Sequence, residues 1–229
     1  MKVEELEAKV KTLENQLRTL QDIEEIKTLQ RAYGYYLEHW MASEIVDLFS
    51  DGPGVAVEWP EGKYLGKEGV KKYFEAGDRK DPEFLHQLIQ LSPVITVDPD
   101  GKTAKGRWYC WGAITFPFGG GVMPSFQSGL YENEYVKEGG KWKIKKFRWQ
   151  FIYSVKPGEG LVKPERIAAI DPKAKFGGGI KPDVPDMRFE YRYPSGYIFP
   201  FHYKHPVTGK KTTEEQRNKS AKRVKGGIL

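Results

Sequence analysis

Cysteine is nearly absent. Cys110 is the only one in 229 residues, so no intramolecular disulfide can form and a cysteine-rich zinc site is excluded. Histidine is also scarce, at four residues, and these lie scattered among the acidic residues with no His-Glu-x-x-His or similar run. No metal site is therefore expected. Gly119-Gly120-Gly121 lacks the Lys-Ser/Thr that follows in a phosphate loop and reads as a hairpin loop. With no dinucleotide fingerprint either, no cofactor is expected. No apolar run approaches membrane-spanning length, and Met1-Lys2-Val3-Glu4-Glu5 carries no signal-peptide hydrophobic stretch. A soluble cytoplasmic protein without a membrane partner is the expectation.

Rings are plentiful. Aromatics make up 14% of the chain against 39% apolar residues in all, which suits a packed core or an aromatic-lined pocket and excludes a largely disordered chain. The formal charge of +6 is unevenly placed. Residues 1–153 hold 21 Lys/Arg and 23 Asp/Glu, whereas residues 154–229 hold 16 and 8. The basic residues between 204 and 225 are interrupted by Glu214-Glu215 and have no aromatic interleaving. They read as a solvated tail, and a nucleic-acid partner is not expected.

Val3, Leu6, Val10, Leu13, Leu17 and Leu20 alternate three and four apart, the a/d spacing of a coiled-coil seam, and predict an N-terminal heptad helix over residues 1–20. Three heptads are marginal alone. The stripe needs either a second copy of the chain or the protein's own body to cover it, and a homo-oligomer is expected, with a dimer favoured over a trimer. A second helix is predicted through Ile23, Ile26, Leu29, Tyr33, Tyr36, Leu37 and Trp40, with Asp22 capping its start and Glu25 completing a capping box. A short helix near Ser43–Phe49, a strand over Val55–Trp59 and a helix over Gly66–Glu75 follow.

From His86 the pattern becomes strands. Leu91–Val97 and Lys102–Ile114 flank the turn Asp98-Pro99-Asp100-Gly101, and Ser125–Val136 and Lys141–Tyr153 flank Lys137-Glu138-Gly139-Gly140. The apolar parity of the last strand switches near Lys145-Lys146, which predicts a β-bulge. Trp108 and Cys110 alternate with Tyr109 and Trp111, so this strand carries rings on both faces and both should be covered. Eight of the 15 prolines lie between Pro157 and Pro206. Residues 154–229 therefore read as an extension that wraps the body or a neighbouring subunit, packed as far as about Val207 through rings such as Phe189, Tyr191 and Phe199.

Helix, helix, strand, helix and then a curved antiparallel sheet is an α+β order. Asp22-Ile23-Glu24-Glu25-Ile26, Ile45-Val46-Asp47-Leu48-Phe49, Leu65-Gly66-Lys67-Glu68-Gly69-Val70, Asp98 to Ala104 and Gly140-Lys141-Trp142-Lys143-Ile144 occur in an order and spacing that resembles the SnoaL-like branch of the nuclear transport factor 2-like superfamily. The resemblance covers residues 21–153 and implies a cone of curved sheet closed by helices, with a pocket inside. Members include cofactor-free lyases and isomerases, dioxygenase small subunits and binding modules, so the site must be argued by residue.

Three residues are candidates for catalysis. By this resemblance Glu38 falls where scytalone dehydratases have a helix-end aspartate. Among Tyr33, Tyr36 and Trp40 it would be desolvated into general-base range, or else it closes the helix in solvent. Tyr33 falls where ketosteroid isomerases stabilise an oxyanion, with core packing as the alternative role. His86 stands at a position resembling the strand histidine of scytalone dehydratases, and imidazole as a group can pass protons near neutrality. Departures accompany these matches: no second histidine stands near Gly112–Ile114, Tyr131 replaces a strand asparagine, and Trp59 replaces the isomerase aspartate. Glu58, beside Trp59, should point away from the pocket. Trp59, Trp108, Phe126, Tyr131 and Trp149 are the expected substrate-binding rings, suited to a planar phenolic ligand. His202 and His205 are candidates to reach a pocket mouth.

These features lead to an expected cofactor-independent lyase acting on a phenolic aromatic compound. Its most concrete form resembles the bacterial lignin-dimer γ-formaldehyde lyases, which convert a diarylpropane or phenylcoumaran diol into a stilbene. The alternatives are a dehydratase or isomerase of an aromatic or polyketide-like substrate, a non-catalytic small-molecule binder, and a dioxygenase small subunit.

Overall fold

The computed structural model describes residues 2–75, 85–118, 121–156, 181–185, 201–204, 208, 210, 211 and 213. Expectations for His205 and for the rings at 189–199 lie outside these residues, as do Gly119 and Gly120 of the proposed loop.

The N-terminal segment is one helix where two are expected. Helix α1 runs unbroken over Val3–Glu38. Nothing between Leu20 and Ile23 breaks a helix, and a residue preceded by helix has no free first-turn N–H groups to cap. Asp22 is instead buried in mid-helix, where its Oδ1 accepts hydrogen bonds from Trp142 Nε1 at 2.8 Å and Lys137 Nζ at 2.6 Å. From there α1 buries Asp22, Ile26, Gln30, Tyr33 and Leu37 against the sheet.

Its end is a Schellman turn. Met41 N–H donates to Tyr36 O at 2.9 Å and Trp40 N–H to Leu37 O at 3.0 Å. The left-handed position, usually glycine, is Trp40 at φ 46°. The indole compensates for that backbone strain by packing in the core and donating from Nε1 to Phe74 O at 3.0 Å.

Helix α2 (Ala42–Asp47), strands β1 (Ala56–Trp59) and β2 (Gly62–Leu65) and helix α3 (Gly66–Glu75) follow, and then the long strands β3 (His86–Val97), β4 (Thr103–Phe118), β5 (Gly121–Glu138) and β6 (Lys141–Val155). β2 has no counterpart in the sequence reading. A two-residue strand β7 (Val184–Pro185) completes a sheet of order β3-β4-β5-β6-β1-β2-β7. Among the pairings of these strands β1–β6 alone is parallel, and an isolated parallel bridge joins Phe49 to Ile144. Both expected turns are present, with Gly101 at φ 66° and Gly139 and Gly140 at φ 56° and 79°, conformations that glycine adopts without strain.

The expected bulge is also present. Glu134 pairs with Lys146 and Tyr135 with Ile144, which leaves Lys145 as the extra residue. A second bulge in β6 sits opposite Ser128 and Gly129, and β3 is irregular between Leu91 and Val94. Each bulge adds local bend and twist, and together they curl the sheet around α1.

A buried polar network fixes α1 on the concave face. Gln30 Oε1 accepts from Asn133 Nδ2 at 2.9 Å and Tyr135 OH at 2.8 Å, while Gln30 Nε2 donates to Gln90 Oε1 at 2.9 Å. Two described parts of the extension, residues 183–185 and 201–204, lie on the same chain's body. β7 pairs with β2, Asp183 accepts from Leu65 N–H at 2.8 Å, and Phe201–Lys204 lies on the face away from the helices. No described helix is long and apolar enough to cross a membrane.

Candidate active site

The cone encloses a cavity between the end of α1, the β1–β2 turn and strands β3–β6. Its wall is mostly rings: Tyr33 from α1, Trp40 from the turn that ends it, Trp59 from β1, Tyr73 and Phe74 from α3, Tyr131 from β5, and Trp149 and Phe151 from β6. Strand parity puts them there, since alternate residues of a strand face the concave side. About 70 Å³ is open to the centre of a water molecule. That corresponds to about five waters.

Three polar groups besides the tyrosines interrupt the apolar wall: Glu61, His86 and Gln127. Glu61 lies in the turn between β1 and β2, where desolvation pushes its carboxyl up to about 7, opposed only by a hydrogen bond from its own backbone. A carboxyl held there exchanges a proton near neutral pH. The imidazole of His86, at the start of β3, packs against Trp40 with ring centroids 5.4 Å apart. Tyr33 and Tyr131 are fully buried with centroids 6.1 Å apart. Neither hydroxyl has a hydrogen bond of normal geometry among the described residues. Burial, first of all, holds both phenols well above their ordinary pKa, so both are neutral donors at any physiological pH.

Of the expected catalytic residues, the structure brings Tyr33 and His86 to the cavity and leaves Glu38 outside it. Glu38 is one residue beyond the inward-facing Leu37, turned about 100° around the helix. It lines a separate groove between α1 and β3, where Gln87 Nε2 donates to its Oε1 at 3.2 Å.

Among the expected binding rings, Trp59, Tyr131 and Trp149 line the cavity, while Trp108 and Phe126 do not. The Trp108 ring is buried beside the Gln30 network, its Nε1 donating to Tyr135 OH at 3.0 Å. Phe126 lies on the outer face, 38% exposed and stacked on Trp111 at 6.1 Å, because its parity is opposite to that of the inward Gln127. Glu58 points away, as expected, with Arg148 Nε at 3.0 Å from its Oε2.

His202 is on the outer face as well, not at the cavity mouth. Its Nδ1 bonds Glu132, which also pairs with Arg107 at 2.8 Å. Arg107 in turn lies over the Phe201 ring at 4.0 Å.

Glu61 was missed in the sequence, although a signal for it exists. Val57 and Trp59 set the inward parity of β1, and the same alternation carried two residues past Trp59 reaches Glu61. Trp149 is seated by a missing side chain, since a Cβ on Gly129 would stand 2.2 Å from Trp149 Nε1. That indole N–H instead meets Cys110 Sγ at 3.2 Å, and burial pushes the thiol up to about 11.

The SnoaL-like domain model matches residues 18–148. Solved structures of similar fold include a proposed scytalone dehydratase from Novosphingobium aromaticivorans, at 18% identity and TM-score 0.52 over 61% of this chain and 89% of that one. The hexachlorocyclohexane dehydrochlorinase LinA-type3 from Novosphingobium barchaimii aligns at 19% identity and TM-score 0.50, over 65% of this chain and 99% of that one. At these identities the likeness is one of fold.

Proposed function

From a chain that belongs to the SnoaL-like domain family, we propose a cofactor-independent lyase acting on a phenolic ring compound by general acid–base catalysis. The observation that carries this reading is the cavity itself, in which a carboxyl poised near neutrality and an imidazole stand on a wall of rings with two neutral phenols. Rings bind a planar substrate, and the two titratable groups move protons in an otherwise apolar space, where such transfers are most effective.

The finest form of the proposal is release of formaldehyde from a lignin-type diaryl diol. One of Glu61 and His86 protonates the departing benzylic oxygen while the substrate's para-phenol supplies the electron pair and gives up its own proton to solvent, leaving a quinone methide. The other takes the proton of the terminal hydroxyl. The adjacent carbon–carbon bond then breaks, and its electron pair restores the phenolate, which takes back a proton from solvent, as the stilbene forms. An open diarylpropane diol gives stilbene, water and formaldehyde; a phenylcoumaran opens its ring ether and gives stilbene and formaldehyde. Both balance without an oxidant. Tyr33 and Tyr131 donate hydrogen bonds to the phenolic oxygen as its charge changes.

The small volume of the cavity favours a second reading, a carbon-conserving elimination from a substrate smaller than a diaryl diol. In the first reading only one aryl ring enters and the rest of the substrate lies across the mouth. Incubation with a panel of diaryl diols, following stilbene absorbance and formaldehyde together, decides between them. Equimolar products are expected. Turnover without formaldehyde would establish the elimination, and ligand-dependent quenching of tryptophan without turnover would make the protein a binder.

A further inference from the structure

The first five turns of α1 carry an apolar stripe that the body of the protein does not cover. Val3, Leu6, Val10, Leu13, Leu17 and Leu20 are between 47% and 71% exposed. At 100° per residue this stripe and the buried one through Asp22, Ile26, Gln30, Tyr33 and Leu37 point roughly 170° apart. The helix therefore changes its apolar side where it leaves the body, and its projecting segment, about 27 Å long at 1.5 Å per residue, turns its leucines away from its own domain.

We infer that this segment pairs, parallel and in register, with the same segment of a second copy of the chain. With Val3 at position a, the a positions are Val3, Val10 and Leu17 and the d positions Leu6, Leu13 and Leu20. β-Branched residues at a with leucine at d favour two strands. The flanking charges fix the direction. In a parallel pair each g residue meets the e residue five positions on in the partner, which sets Lys2 against Glu7, Lys9 against Glu14 and Gln16 against Gln21. An antiparallel pair would bring e positions together and set glutamate against glutamate.

The geometry leaves room for both domains. Each packs on the side of its helix opposite the seam, so the two stand on opposite sides of the coiled coil at its C-terminal end. The joint uses none of the residues that line the cavity, so it does not depend on the proposed reaction.

Cys110 is buried, so a cysteine placed on the helix is the reactive thiol of the full-length protein. Under mild oxidation Leu6→Cys chains are expected to convert completely to a covalent dimer, at least tenfold faster than Ala8→Cys chains, whose cysteine lies on the outer side of the helix. Both positions are exposed, so neither substitution threatens the fold. Equal rates for the two variants would overturn the pairing or its parallel direction. Conversion that stops at two thirds would overturn it in favour of a three-stranded bundle.

Discussion

Replacing Glu61 by glutamine should remove a pH dependence from the stability of the protein. The carboxyl ionises near 4.5 in the unfolded chain and at about 7 in the folded one. Below pH 4.5 it is protonated in both states and costs nothing. As pH rises from 4.5 to 7 only the unfolded chain ionises freely, so stability is progressively lost, and above 7 the loss is complete. A difference of about 2.5 pKa units at 1.36 kcal/mol each is about 3 kcal/mol. Glutamine keeps the shape of the side chain without the charge. The variant should therefore gain about 2–3 kcal/mol over the wild type between pH 5 and pH 8.5, or about 5–10 °C in Tm for a chain of this size. Urea denaturation of both proteins at the two pH values is the assay, and the difference between them cancels every other titrating group. Parallel profiles, within about 0.5 kcal/mol, would show that water reaches Glu61 and would remove it as a group poised near neutrality.

Three further outcomes are expected. Glu61→Gln should lower kcat/KM on the diaryl diol by at least about 100-fold, whereas Glu38→Gln, in its separate groove, should stay within about threefold in steady-state assays. Tyr33→Phe and Tyr131→Phe each delete a buried hydroxyl with no hydrogen bond of normal geometry, so urea midpoints should hold or rise by up to about 1 kcal/mol while turnover falls. Gly129→Ala drives a methyl group into the Trp149 indole and should cost about 1–3 kcal/mol, with a red shift in tryptophan fluorescence as the ring leaves its seat.

The strands and turns were legible because their signals are local. Glycines at 101, 139 and 140 occupy the left-handed positions their hairpins need, and the parity switch at Lys145 is a bulge. The helix boundary at Asp22 was misread because its capping sequence is equally a buried acceptor for Trp142, and only the sheet sixty or more residues away decides between the two. The same holds within the site. Tyr33, His86, Trp59, Tyr131 and Trp149 follow from helical or strand periodicity, and the same alternation, counted five residues back from Tyr131, turns Phe126 outward, whereas the place of Trp108 required knowledge of the Gln30 network. Glu61 sits in a turn, where polar residues are expected in solvent, and only the closure of the cone around it raises its pKa.

The single thiol bears on what the protein can survive. Cys110 is fully buried and, with its pKa pushed to about 11, is almost entirely in the unreactive neutral form. The cavity wall has no lysine. An enzyme that releases formaldehyde produces an electrophile whose first targets in a protein are thiolates and amines. This chain's cavity wall presents neither at the place where that product would be formed, so in the proposed reaction successive turnovers would leave that wall unmodified, and its one thiol is buried away from solvent.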